Sequence, residues 1–420
     1  MLDTELMKLG EKGVVQGTKL EADKFFHVDV LPPGKPAHLE PLLVEGARPR
    51  EVYLVYTKFG EDPPPIMIKV STDAGRTWGE ERPLTDAGGK KITGFHTSIV
   101  RMRSGKLGMI YSTQYPGVGH PGRESGTLVT FRTSADGGKT WSEPAIVDDN
   151  FACCTTGHMV ALSTGRVVAP AFRWVSPIPT NDAEGWVLSS NEPSPTLSYS
   201  FAFVSDDEGK TWRKSLSELF VSVRRAAFDL EEPTVVELKD GKLLAHLRSE
   251  VGRIYRSYSP DGGLSWTRPE GLPIAASYTP QILKRLPGTG ELLMVWNQIS
   301  RQEIVTCLHR HRLSCAISRD EGKTWENFKN LESLDDVTVV TPPPMGETMA
   351  LQPYESYGYR QPQPGLWRYH RAPGILRICY PTVAFARDEA LVAYDIGEGS
   401  LGNGVHGARL RAIPVGWFTE

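Results

Sequence analysis

Short apolar runs recur along the chain from Phe25 onward, each broken by Gly, Pro, Asp or Lys, and their lengths predict strands almost throughout. The clearest case is Leu230–Trp266, LEEPTVVELKDGKLLAHLRSEVGRIYRSYSPDGGLSW. Val235, Val236 and Leu238 precede Lys239-Asp240-Gly241, and Leu243, Leu244 and Leu247 follow it. Asp and Gly tolerate the positive φ of a tight turn, so the stretch predicts a hairpin. Pro233 predicts extended backbone at Glu232. Asp240 lies midway between Glu232 and Arg248. A hairpin centred on it sets those two side chains opposite each other, roughly 5 Å apart at Cβ. A carboxylate facing a guanidinium there is either a structural ion pair or half of an anion-binding site.

Similar hairpins are predicted at Pro41–Tyr56, Thr97–Ser112, Met159–Ala169, Pro280–Trp296 and Pro381–Tyr394. Superposing them aligns the residue just before each strand opening: Glu40, His96, Thr156, Glu232, Thr279 and Tyr380. His158, two residues past Thr156, shares its face. If first strands line a central funnel, then Glu40, His96, His158, Glu232 and Tyr380 converge there.

One eight-residue pattern, S-x-D-x-G-x-[TS]-W, occurs five times, at Ser71–Trp78, Ser134–Trp141, Ser205–Trp212, Ser259–Trp266 and Ser318–Trp325. The Asp can accept backbone N–H groups, the Gly can take a conformation closed to other residues, and the Trp can pack beneath the turn. These copies resemble the Asp boxes of the sialidase-type β-propeller, and the resemblance covers most of the chain. The boxes fall roughly 55 to 70 residues apart, near the length of a four-stranded blade. The expected fold is therefore all-β: an N-terminal arm over residues 1–22 and one six-bladed propeller over 23–420. Its last blade would be closed jointly by both chain ends.

The resemblance implies an exo-acting, retaining glycosidase for a terminal acidic sugar, sialic acid or a relative. Such enzymes use a Tyr nucleophile, an exception to the usual pair of carboxylates. A neutral phenol approaches an anionic sugar more easily than a carboxylate does. Tyr380 resembles the nucleophile, Glu232 its acidic partner, and Asp62 the acid/base, with Glu61 as a rival. Arg248 and Arg310 resemble two of three arginines that clamp the substrate carboxylate, Arg312 competing with Arg310. The family's first arginine has no counterpart: the segment reads His38-Leu-Glu-Pro41, leaving His38 and Glu40 as candidates. His96 and His158 on the funnel face suit sugar-hydroxyl contacts, proton transfer or a metal site. Two insertions, 175–200 and 342–373, carry Trp186 and Tyr354, Tyr357, Tyr359, Trp367 and Tyr369, rings suited to stacking on sugars.

Composition narrows the alternatives. A net charge of −3 and a pI near 6.4 give no bulk electrostatic reason to expect nucleic acid or an anionic membrane as partner. The five Cys show neither framework spacing nor CxxC, so neither a disulfide scaffold nor a zinc knuckle is suggested, and no cofactor motif is present. The N-terminus lacks a signal-like apolar segment, which favours a cytoplasmic location, or secretion if a signal has been removed. Two other functions fit the same propeller. One is a polysaccharide lyase acting on uronates, in which Tyr or His takes the proton α to the carboxylate. The other is a non-catalytic glycan-binding propeller.

Overall fold

The computed structural model describes residues 21–116, 125–148, 153–154, 158–175, 197–223, 226–228, 230–249, 251–299, 310–333, 340, 377–398 and 405–420. The two aromatic insertions, Thr156 and residues 1–20 fall largely or wholly outside these.

Six antiparallel sheets of four or five strands follow one another along the chain, and a two-stranded hairpin, Val221–Val223 with Ala226–Phe228, sits between the third and the fourth. Blade one is His38–Glu45, Val52–Lys58, Ile66–Ser71 and Arg82–Pro83. Blade two is Phe95–Arg101, Leu107–Pro116, Ser125–Ser134 and Ala145–Asp148. In blade three, Cys153–Cys154 and Val160–Ala161 both pair with Val167–Val175, followed by Leu197–Ser205 and Arg213–Lys214. Blade four is Leu230–Glu237, Leu243–Ser249, Arg253–Ser259 and Glu270–Ala275. Blade five is Ile282–Arg285, Leu292–Trp296, Leu313–Ser318 and Glu326–Glu332. Blade six runs Arg377–Ala386, Glu389–Glu398 and Val405–Pro414, and its outer strand is His27–Gly34 from the other end of the chain. The sheet that closes the ring is thus built from both ends, as expected. Just before that outer strand, Glu21–Lys24 forms a 3-10 turn whose Ala22 is fully buried, so the expected boundary at residue 22 falls inside a packed turn.

The core is distributed around the ring rather than gathered at one centre. Each neighbouring pair of blades shares an apolar cluster. Leu54 meets Leu410 between blades one and six, Val55 meets Met109 between one and two, and Phe131 meets Phe203 between two and three. Val204 joins Leu247, Leu244 joins Met294, and Leu293 joins Val392 to complete the circuit. Each blade buries both faces against neighbours, which lets a chain of this length fold as one body.

The five repeated turns have one geometry. In each, the Ser hydroxyl donates to the Asp at 2.7–2.9 Å and accepts the Gly N–H at 2.7–2.9 Å. The same Asp accepts the backbone N–H and the hydroxyl of the Thr or Ser four residues on. These donors outweigh the cost of burial and hold Asp73, Asp136 and Asp207 down to about 2. The turns also join blades. A Cβ at Gly209 would lie 2.0 Å from Phe131 of blade two, and one at Gly322 would lie 2.3 Å from Leu244 of blade four. Blade six has a short helix, Val415–Thr419, where the others carry the turn, and its Trp417 and Phe418 pack in the cluster shared with blade five.

Candidate active site

Four of the residues expected at the funnel share an unusual backbone state. Glu40, His96, Glu232 and Tyr380 have φ of 58°, 54°, 44° and 54°. Each lies at a register shift, between Leu39 and Leu42, Phe95 and Ser98, Glu231 and Thr234, and Cys379 and Thr382. In every case three steps on the first strand oppose two on its partner, which is a β-bulge. Left-handed backbone at a non-glycine residue costs about 1–3 kcal/mol and clusters where function demands a re-aimed side chain. The extended backbone expected at Glu232 from Pro233 is therefore not what forms. The bulge also shifts the hairpin: Arg248 is in register with Glu231, not Glu232.

Arg248 nevertheless reaches both carboxylates. Its Nη1 pairs closely with Glu232 Oε2, and its Nη2 lies 3.7 Å from Glu231 Oε2. Ser198 Oγ donates to the other Glu231 oxygen at 2.6 Å. The guanidinium stacks on Tyr278, 3.7 Å from the ring centroid. Across the funnel, Tyr380 Oη donates to Glu232 Oε1 at 3.1 Å. Residues 148 positions apart, on blades six and four, thus share one hydrogen bond. Arg310 lies 5.8 Å from the Tyr380 ring and donates to Cys379 Sγ at 3.4 Å and to the Tyr278 carbonyl at 3.2 Å. Its rival Arg312 is turned to Ser333 Oγ, 3.3 Å away.

A second cluster lies on blades one and two. Glu40 Oε2 accepts the His96 backbone N–H at 2.7 Å, and Glu40 Oε1 lies 2.7 Å from His96 Nδ1. Burial alone would raise the Glu40 carboxyl, but the His96 contacts hold it below the usual range. The Glu40 N–H donates to Asp395 Oδ1 at 3.1 Å. Burial pushes Asp395 up to about 8, against the pull of Arg377. Glu40, His96, His158 and Tyr380 line one cavity with Gln281 and three prolines. Burial, with Lys284 nearby, lowers His158 to about 3 and keeps it neutral.

Other expected residues lie elsewhere. His38 does not join the funnel: its ring packs edge-on against Tyr56 at 5.5 Å, because the bulge separates its phase from that of Glu40. Asp62 is exposed and does not line this cavity. Its loop, however, leans on the segment leading to His96 through a Gly94 N–H to Pro64 carbonyl bond of 2.9 Å. Glu61 pairs with Lys91 at 2.9 Å on the surface. Sequence reasoning passed over Arg377, buried and 5.9 Å from the Tyr380 ring, as well as Glu231 and Asp395. The signal was available, since a charge inside an apolar strand run such as RICYPTVAFA is rarely buried without a partner.

Comparison with known proteins agrees with this architecture. The chain is 26% identical over 300 residues to a sialidase of Micromonospora viridifaciens. That alignment takes in 63% of this chain and 40% of the relative, so the chain spans about two fifths of that protein's length. A protein of unknown function from Dyadobacter fermentans superposes with a TM-score of 0.56 at 17% identity, covering 95% of this chain and 97% of its own. A mutant of the NanB sialidase from Streptococcus pneumoniae superposes with a TM-score of 0.56 at 12% identity, covering 99% and 73%. The sequence matches the BNR repeat-like domain over residues 59–391, and with five conserved-geometry turns on six blades the chain belongs to the BNR repeat family of sialidase-type propellers.

Proposed function

We propose that the protein is an exo-acting glycoside hydrolase of sialidase type, removing a terminal acidic sugar with retention of configuration. The observation that carries this reading is the 3.1 Å hydrogen bond from Tyr380 Oη to Glu232 Oε1. Tyr380 attacks the anomeric carbon as the glycosidic C–O bond breaks, and Glu232 takes the phenolic proton. Asp62 is the candidate donor to the departing oxygen, and the attachment of its loop beside His96 supports that role. Water then attacks the anomeric carbon as the bond from that carbon to Tyr380 Oη breaks, Asp62 takes the water's proton, and Glu232 returns a proton to the departing Tyr380 oxygen. Arg248 and Arg310 supply positive charge for the substrate carboxylate, and Arg248 also fixes the orientation of Glu232.

The test is hydrolysis of an aryl α-sialoside with the first-formed anomer followed by NMR. The wild-type protein is expected to release the same anomer that it cleaves. Tyr380→Phe is expected to lower kcat by about 10³-fold or more, because no covalent intermediate can form. Full activity in that variant, an inverted product, or an unsaturated product absorbing in the near ultraviolet would overturn the reading.

A further inference from the structure

Two residues past each strand opening, the six hairpins of the repeat carry Leu42, Ser98, His158, Thr234, Gln281 and Thr382. Three of these sew neighbouring blades together. Ser98 Oγ accepts the Met159 N–H at 2.7 Å, Thr234 Oγ1 the Leu283 N–H at 3.2 Å, and Thr382 Oγ1 the Leu43 N–H at 3.1 Å. His158 is engaged as well, since its ring bonds the Pro381 carbonyl. Gln281 breaks the pattern. It is 4% exposed, and its Nε2 makes no hydrogen bond among the described residues. Thr97 Oγ1, on blade two, is likewise buried without a partner among them. Both residues line the cavity that holds Tyr380 and His158. A buried N–H left unbonded lowers stability, so a fold that retains one at its centre has a use for it.

We propose that Gln281 is a specificity-determining residue at the floor of the funnel, where its amide binds an uncharged hydroxyl of the sugar while Arg248 and Arg310 attend to the carboxylate. This rests on the reading of Tyr380 as the group that meets the anomeric carbon of an acidic sugar. The chemistry of the floor selects the hydroxyl. Gln281 offers amide N–H donors, and a half-turn of the amide presents its carbonyl instead. Burial, with Lys284 nearby, keeps His158 neutral, so the ring nitrogen that does not bond Pro381 is an acceptor. A hydroxyl accepts from the amide and donates to the imidazole. A carboxylate only accepts, and would leave the imidazole acceptor unmatched. Pro280, directly before Gln281, and Pro381 form part of the same walls. Their fixed φ restricts the backbone motion that could carry the amide to another partner.

The experiment is calorimetric binding of the 2,3-dehydro analogue of sialic acid, and of versions each lacking one hydroxyl, to the full chain and to its Gln281→Leu variant. Thermal unfolding without ligand is recorded for both. Gln281→Leu is expected to bind the parent analogue about tenfold more weakly, the loss of one or two hydrogen bonds. One deoxy version is expected to bind the wild type about tenfold more weakly than the parent does, yet to lose nothing further in Gln281→Leu, because both changes remove the same contact. The Tm of the variant is expected to hold or rise, since an apolar side chain of similar size replaces an unbonded amide. A lower Tm with unchanged affinity would mean that the amide serves packing, and would overturn the proposal. So would equal losses of every deoxy version in both proteins, or no binding of the parent to the wild type. Gln281→Met, closer in length, carries the same comparison if the Leu variant does not fold. Hydrolysis of the aryl α-sialoside separates the subsite from the reaction: Gln281→Leu is expected to raise KM about tenfold. Turnover with affinity and KM unaltered in the variant refutes the subsite and keeps the hydrolase, whereas deoxy-matched binding without turnover does the reverse.

Discussion

At the scale of single residues, the site depends on side chains held in costly states. Four non-glycine residues adopt left-handed backbone at one repeat position, and all four form side-chain contacts that join one blade to another at the funnel. Their convergence was legible from repeat phase; the bulge was not, because no glycine marks it and Pro233 argues for extended geometry. The same bulge removed His38 from the site. His246 is a different case. It is fully buried, stacks edge-on to Trp325 at 5.3 Å, and both ring nitrogens lack hydrogen-bond partners among the described residues. Burial, with Arg256 nearby, lowers it to about 3. The unfolded chain binds its proton near pH 6.5 while the folded one does not, so stability is lost as pH falls from about 6.5 toward 3. His246→Phe is expected to reduce the loss between pH 7.5 and 5 by about 2 kcal/mol, read from urea unfolding at both pH values.

At the scale of elements, the repeated turn was the most legible feature of the chain, and its hydrogen bonds follow from its residue types. What the pattern could not show is where each turn lands. Gly209 has φ of 87° and no room for a methyl group against Phe131, so the glycine serves both the turn and the seam between blades. Gly209→Ala is expected to destabilise by about 2–4 kcal/mol, from strain plus displacement of a packed ring. Gly105→Ala, at a positive-φ turn with nothing within 4 Å of the added carbon, is expected to cost about 1 kcal/mol. Thermal unfolding of both variants checks the difference, and equal losses would mean that the seam contributes little. Arg377 and Asp395 escaped notice for a related reason: their importance comes from a neighbouring blade, and strand periodicity carries no information about that neighbour.

At the scale of the whole molecule, six blades were legible by counting five turns and the residues left over. The closure was legible too, since neither end alone suffices for a blade. The outer strand His27–Gly34 buries Val30 and Leu31 and adds an ion pair from Arg409 to Asp29 at 2.6 Å. Removing residues 1–34 is expected to cost about 3–6 kcal/mol in lost apolar burial. It also bares the edge of Val405–Pro414, an invitation to pair with a second chain. Size-exclusion chromatography should show dimers or larger species, and a monomer with unaltered Tm would refute the claim that this strand fastens the ring.

That fastening fixes a timetable for synthesis. The strand His27–Gly34, translated ahead of blades one to five, has no mate until Val405–Pro414 has been made, so at about 5–20 residues per second it waits about 20–80 s. Blades one to five can settle in order behind the ribosome, each against its predecessor, while the N-terminal segment stays unmatched. Completion of Val405–Pro414, rather than any earlier moment, is when the two halves of the proposed nucleophile pair, Glu232 and Tyr380, can be locked at their working separation.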